Sequence, residues 1–250
     1  MERFGLIANF SALPNDVKYF VPAQLKSPPE DLAKIEPSPT DPCPLYLYFV
    51  DGFVPHGLFT QLVSKSISWC SKIGSVQPPN LYRNGAWFVV GQQIIHDMIL
   101  ICKKKFIKIS LKQRTDDEAF SVSTSPETAN GVRLFVEDTL HDLMQQFQYL
   151  RGLRYEFCVA CPYCLQGSRE CLNHSQTLCT HEDCLHLLEI KQRGRFICMR
   201  SVSDMVLTVR GLEKWYPQRT NQVWFVKKKQ ISSASVIQNE RKISYLPKCM

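Results

Sequence analysis

No stretch of this 250-residue chain approaches the roughly 18 uninterrupted apolar residues of a membrane-spanning helix, so no span is expected. The first ten residues, Met1 to Phe10, carry too short an apolar run and the wrong charge for a secretory signal. There is no Gly-x-x-x-x-Gly-Lys-Ser/Thr phosphate loop, no Gly-x-Gly-x-x-Gly, no kinase catalytic-loop signature, no Gly-x-Ser-x-Gly elbow and no His-Glu-x-x-His. These absences argue against an enzyme. The last four residues place no cysteine fourth from the end, so no prenyl anchor is expected. There is no internal repeat. Charge of one sign is also scarce: 30 Lys+Arg against 23 Asp+Glu leave a net +7. The excess falls in two short runs, Lys103–Lys105 and Lys227–Lys229, rather than in a stripe interleaved with base-stacking aromatics. Nucleic-acid binding is therefore disfavoured, and the lysines read as solvated ends of strands and loops. The acidic run Asp116-Asp117-Glu118 reads as a solvated turn.

What the chain has in excess is cysteine. Seven of its eleven cysteines and three of its six histidines lie between Cys158 and Cys198. With no export signal, such thiols are expected in a reducing, cytoplasmic setting, where they bind metal or stay free. Cys161-Pro-Tyr-Cys164 lies at the end of an expected strand, and a Cys-x-x-Cys turn lets two thiolates converge on one tetrahedral Zn²⁺ at about 2.3 Å each. A structural site needs four ligands, and the window offers more than enough. Cys179, His181 and Cys184 form one dense group, Cys198 closes a strand that could pair beside 155–159, and Cys171 with His174 could form a second site. Cys43, Cys70, Cys102 and Cys249 read as small buried apolar residues. A thiol-dependent enzyme built on a Cys/His pair is conceivable, but so many ligands in one window favour metal over catalysis.

The 44% hydrophobic and 21% charged content suits a globular protein with a real core. Leu45-Tyr-Leu-Tyr-Phe-Val50 reads as a strand closed by Asp51-Gly52. Leu58, Phe59, Leu62, Val63, Ile67 and Cys70 recur at helical spacing, with Gly74 as the stop. Leu81 to Val90 reads as a hairpin turning on Asn84-Gly85. Met98–Cys102 and Phe106–Leu111 give two more strands around Lys103–Lys105, and Ala119–Ser123 a further short one. A second helix starts after Ser125-Pro126-Glu127 and runs to about Phe147, with Val132, Phe135, Val136, Leu140, Leu143, Met144 and Phe147 on its buried face. Strands at 155–159, 195–198, 205–209 and 223–226 complete the pattern. The order is not a regular βαβ alternation. The fold class is α+β: a mainly antiparallel sheet with two principal helices on one face, plus a small Cys/His-rich, zinc-ribbon-like insert at 158–198. A Pro-rich linker at 26–44 precedes the main domain, 45–210, and 211–250 reads as a weakly ordered tail.

The order of motifs carries a resemblance. Met1-Glu-Arg-Phe-Gly-Leu-Ile7, Tyr19-Phe-Val-Pro-Ala-Gln-Leu25, the block Leu45-Tyr-Leu-Tyr-Phe-x-x-Gly-Phe-x-Pro-x-Gly-Leu-Phe59 and Trp87 in a hairpin together resemble the COR region of Roco proteins. COR follows the Ras-like Roc GTPase domain. Residues 1–25 resemble the end of its N-terminal half, and the rest resembles COR-B. The resemblance covers about residues 1–210, and its most specific piece is 45–63. It implies a non-catalytic signalling scaffold that contacts a Roc GTPase domain, carries dimerisation as a homodimer, and couples nucleotide state to the rest of a longer protein. It also implies a zinc set of Cys161, Cys164, His186 (in His186-Leu-Leu-Glu189) and Cys198, with Cys184, Cys179 and His181 in reserve. The density of extra Cys/His departs from the family pattern.

Overall fold

The computed structural model describes residues 8–9, 19–35, 38–73, 77–91, 95–114, 126–166, 184–190, 196–197, 206–207 and 209–217. In chain order the strands are β1 (Ala8–Asn9), β2 (Tyr19–Phe20), β3 (Leu45–Phe49), β4 (Asn80–Tyr82), β5 (Gly85–Val90), β6 (His96–Cys102), β7 (Phe106–Gln113), β8 (Tyr155–Ala160), β9 (Leu187–Glu189), β10 (Phe196–Ile197) and β11 (Val206–Leu207). The α-helices are α1 (Glu30–Lys34), α2 (Leu58–Lys72), α3 (Pro126–Gln146), α4 (Pro162–Gln166) and α5 (Leu212–Trp215).

One seven-stranded sheet, ordered β4-β5-β6-β7-β3-β8-β9, organises the molecule, and every neighbouring pair in it is antiparallel. The α+β expectation holds. The chain leaves β3 through α2, reaches the far edge at β4, and returns by a meander to β7 beside β3. After α3 it re-enters as β8 on the other flank of β3. This interior strand, β3, is thus the first of the seven in the chain and is enclosed on both flanks by later sequence.

Period-2 alternation sorts the sheet into two faces. Leu45, Leu47 and Phe49 of β3, Phe88 of β5, Met98 and Leu100 of β6, and Ile107, Ile109 and Leu111 of β7 join one core cluster with α2 and α3. The helix stripe foreseen for α2 is buried throughout: Leu58, Phe59, Leu62, Val63, Ile67 and Cys70. The two helices lie against each other, with Trp69 stacked on Phe135 at 4.6 Å between ring centroids. Pro126 opens α3, where its fixed φ and missing N–H cost nothing, and Glu127 suits the positive end of the helix dipole. The opposite face carries two smaller patches. Leu32 of α1 covers Ile99 and Ile101, while Tyr46, Phe106 and Cys158 cluster nearer β9.

Two sequence expectations need correction. The β4–β5 hairpin does not turn on Asn84-Gly85. The register pairs Tyr82 with Gly85, so Arg83 and Asn84 form the loop and Gly85 opens β5. Gly85 is not among the glycines with positive φ. Its small size is used for close approach instead, because a Cβ there would meet the Pro28 Cβ at 3.2 Å and Ile101 Cδ1 at 3.3 Å. Two backbone bonds hold this register, from Arg83 N–H to the Lys26 carbonyl (2.9 Å) and from Cys102 N–H to the Asn84 carbonyl (2.8 Å).

The second correction concerns residues 211–217, which do not belong to a weakly ordered tail. Leu212 and Trp215 of α5 are buried in the main core. Trp215 Nε1–H donates to the Cys43 carbonyl at 2.7 Å, and Lys214 Nζ donates to the Thr40 carbonyl. Arg133 of α3 donates through Nε to the Trp215 carbonyl at 2.9 Å and lies over the Tyr216 ring at 4.5 Å. Gly211, at φ 82°, lets the backbone pass where any Cβ would lie 2.8 Å from Cys43 N and 2.9 Å from Asp41 O. This latch joins the C-terminal segment to the linker. Leu212, Trp215 and Tyr216, following a glycine, are the sequence signal for it. The strands expected at 119–123 and 223–226 and the run Lys227–Lys229 lie outside the described residues.

Candidate metal centre

The register of the sheet edge builds the site. In β8–β9, Cys158 pairs with Glu189, Val159 with Leu188 and Ala160 with Leu187. Continuing that register by one step sets Cys161 opposite His186, and the Cys161 N–H donates to the His186 carbonyl at 2.8 Å. Pro162 then starts α4, whose single turn folds Cys164 back toward the strand end. Cys161, Cys164 and His186 thereby form a group whose ligand atoms all lie within 4.8 Å of one another. Cys164 Sγ is 3.3 Å from His186 Nδ1. A tetrahedron with Zn–S of about 2.3 Å and Zn–N of about 2.0–2.1 Å has edges of about 3.5–3.8 Å, so the three atoms need only small shifts to become three of its corners.

Cys161 is fully buried, and Cys164 and His186 are half-buried. The donor set of two thiols and an imidazole on a sheet edge fits a borderline-soft, tetrahedral cation better than a hard, oxygen-seeking one. Among the other expected ligands, Cys184 is described but falls outside this group. Cys198, Cys179, His181, Cys171 and His174 lie outside the described residues.

Cys158, the first cysteine of the run, is excluded by strand parity. It stands three positions before Cys161 on an alternating strand and points to the opposite face, among Tyr46 and Phe106. Burial, with Glu156 and Glu189 adding to it, pushes its thiol up to about 12. Cys43 and Cys70 are likewise pushed up to about 12, mainly by burial. All three are protonated at neutral pH, which removes them as ready nucleophiles. None of the described cysteines is disulfide-bonded. No helix among the described residues is long and apolar enough to cross a membrane.

Compared with protein-family models and with curated proteins, the chain matches none.

Proposed function

We propose that this chain is a non-catalytic, cytoplasmic scaffold and dimerisation module of the COR type, whose Cys161–Cys164–His186 group holds a structural Zn²⁺. The supporting observation is the conformation of block 45–63. Strand β3 lies inside the sheet between β7 and β8, and Gly52 and Gly57 both take left-handed φ, 83° and 81°. Those are the two glycines of the strand–Gly-Phe-x-Pro-x-Gly-Leu-Phe–helix motif, and only glycine enters that region without strain. Both glycines of the block that carries the resemblance thus sit where only glycine is unstrained.

A coupling module needs its two ends mechanically joined. Here the Thr40 and Cys43 carbonyls of the linker accept hydrogen bonds from Lys214 and Trp215 near the other end. A displacement of the linker is therefore felt at α5 and, through Arg133, at α3. The zinc in this reading is a clasp: it joins the end of β8 to the start of β9 and performs no reaction.

The partner half is tested with the isolated chain and a cognate Roc GTPase domain. Light scattering after size exclusion should find a dimer, and titration should find binding to the Roc domain. A strict monomer at high concentration with no affinity for Roc overturns the assignment. Metal analysis of protein purified without chelator should find zinc, and Cys161→Ser with Cys164→Ser should lose it.

A further inference from the structure

The end of the sheet where β3 finishes and β8 begins collects three loops of distinct chemistry. Loop 50–57 leaves β3, the turn 103–105 joins β6 to β7, and residues 151–154 lead into β8. Backbone bonds tie them together: Val50 N–H to the Arg154 carbonyl (3.1 Å) and Val54 N–H to the Lys104 carbonyl (2.7 Å). Arg154 Nη2 also reaches Asp51 Oδ1 at 2.5 Å.

Five cations share this end, Lys103, Lys104, Lys105, Arg151 and Arg154, against two acids, Asp51 paired with Arg154 and Glu30 bordering the Lys103–Lys104 cleft, so positive charge is in excess. Val50 and Phe53 are exposed on the first loop, Phe53 at 56%, and Tyr149 is exposed just before Arg151. These are three of the six exposed large hydrophobic side chains among the described residues, gathered onto two adjoining connections. The turns themselves project. Gly52 and Gly152 both have positive φ, and a Cβ on either would meet nothing within 4 Å.

We infer that this loop end docks on an anionic phospholipid surface, with Phe53 entering the acyl boundary and the flanking Lys and Arg side chains against headgroup phosphates. An acidic protein segment would engage the cations but leave Phe53 in water, and a nucleic acid could stack a base on Phe53 but leaves the exposed aliphatic Val50 on the same loop without a partner. A bilayer uses both. Apolar side chains that enter the headgroup boundary add to the attraction of basic residues for anionic lipids. The inference is independent of the scaffold assignment and of the metal.

The full chain is sedimented with vesicles of phosphatidylcholine alone and of phosphatidylcholine with phosphatidylserine. Binding should require phosphatidylserine at about 0.1 M salt and be lost near 1 M, where the screening length shrinks to about 3 Å. Lys103→Ala with Lys104→Ala should weaken it about 25-fold, at about 5-fold per cation. Phe53→Ala should weaken it further with no change in net charge. Lys65→Ala with Lys72→Ala, exposed on α2, removes the same charge elsewhere and should leave binding nearly unchanged. All these side chains are exposed, so the fold should persist, with thermal unfolding as the check. Absence of binding to phosphatidylserine vesicles overturns the inference. So does equal loss in the α2 control pair, or binding of polyglutamate or an oligonucleotide without vesicle binding.

Discussion

If the Cys161–Cys164–His186 group holds the proposed Zn²⁺, removing it should release one strand and leave the sheet. β9 is only three residues long and forms the sheet edge beside β8. Ordering the seven residues 184–190 costs about 7–14 kcal/mol of backbone entropy, at about 1–2 per residue. Against this, burial of Leu188 returns about 2–3 kcal/mol, and the half-buried Leu185, Leu187 and Ile190 return about 1 each. The ladder bonds, with those from Cys161 to His186 and from Ile190 to Phe157 at its ends, add about 1 kcal/mol net apiece. The two sides nearly cancel, so β9 is marginal without its clasp. A metal at about 1,000 times its Kd adds about 4 kcal/mol, a factor of about 10³ in the closed-to-open ratio. Hydrogen exchange on holo and chelator-stripped protein reads this directly. The amides of Cys161 and Ile190 should lose about 10³-fold protection, while those of Leu47 and Ile107 in the centre keep theirs. Equal protection of Cys161 and Ile190 in both forms would refute the clasp. Parallel loss throughout the sheet would make the metal a requirement of the whole fold instead.

Trp215→Ala should destabilise the chain by about 3–5 kcal/mol in denaturant unfolding, because it empties a fully buried site and removes the bond to the Cys43 carbonyl. Little change would place 209–217 outside the cooperative unit. Gly211→Ala should lower the thermal midpoint by several degrees, since both its φ of 82° and the 2.8 Å approach to Cys43 N exclude a side chain. Cys43, Cys70 and Cys158 should resist iodoacetamide near pH 8 in the folded protein and react on unfolding. Their thiols are raised from 9.0 to about 12, so the folded state holds these protons more tightly. That contribution to stability is complete below pH 9 and should be lost between about pH 9 and 12, as pH-dependent denaturant midpoints will show.

Much of the fold is legible in short-range pattern. The i, i+3, i+4 spacing of Leu58 to Cys70 and the alternation of Leu45 to Phe49 point to α2 and β3, because those periods match the two backbone geometries. Two of the three residues of the metal group are legible for the same reason: Cys161 and Cys164 are three residues apart, and one turn brings them together. The parity that excludes Cys158 was also present in the alternation of 155–160.

Other features depend on contacts between distant residues. His186 stands across from Cys161 because the β8–β9 register places it there, and several neighbouring Cys and His had an equal claim by spacing alone. The hairpin turn lies one residue before its strongest local signal, and Gly85 instead opens a strand against which Pro28, 57 positions earlier in the chain, packs closely. The short stretch 211–217 looks weak by itself. It becomes core when Trp215 finds the Cys43 carbonyl and Arg133 finds the Trp215 carbonyl. Local sequence settled which segments are helix or strand, since backbone geometry is decided within a few residues. Tertiary structure decided register, the third ligand and the latch, since each depends on groups that meet only when the chain has closed on itself.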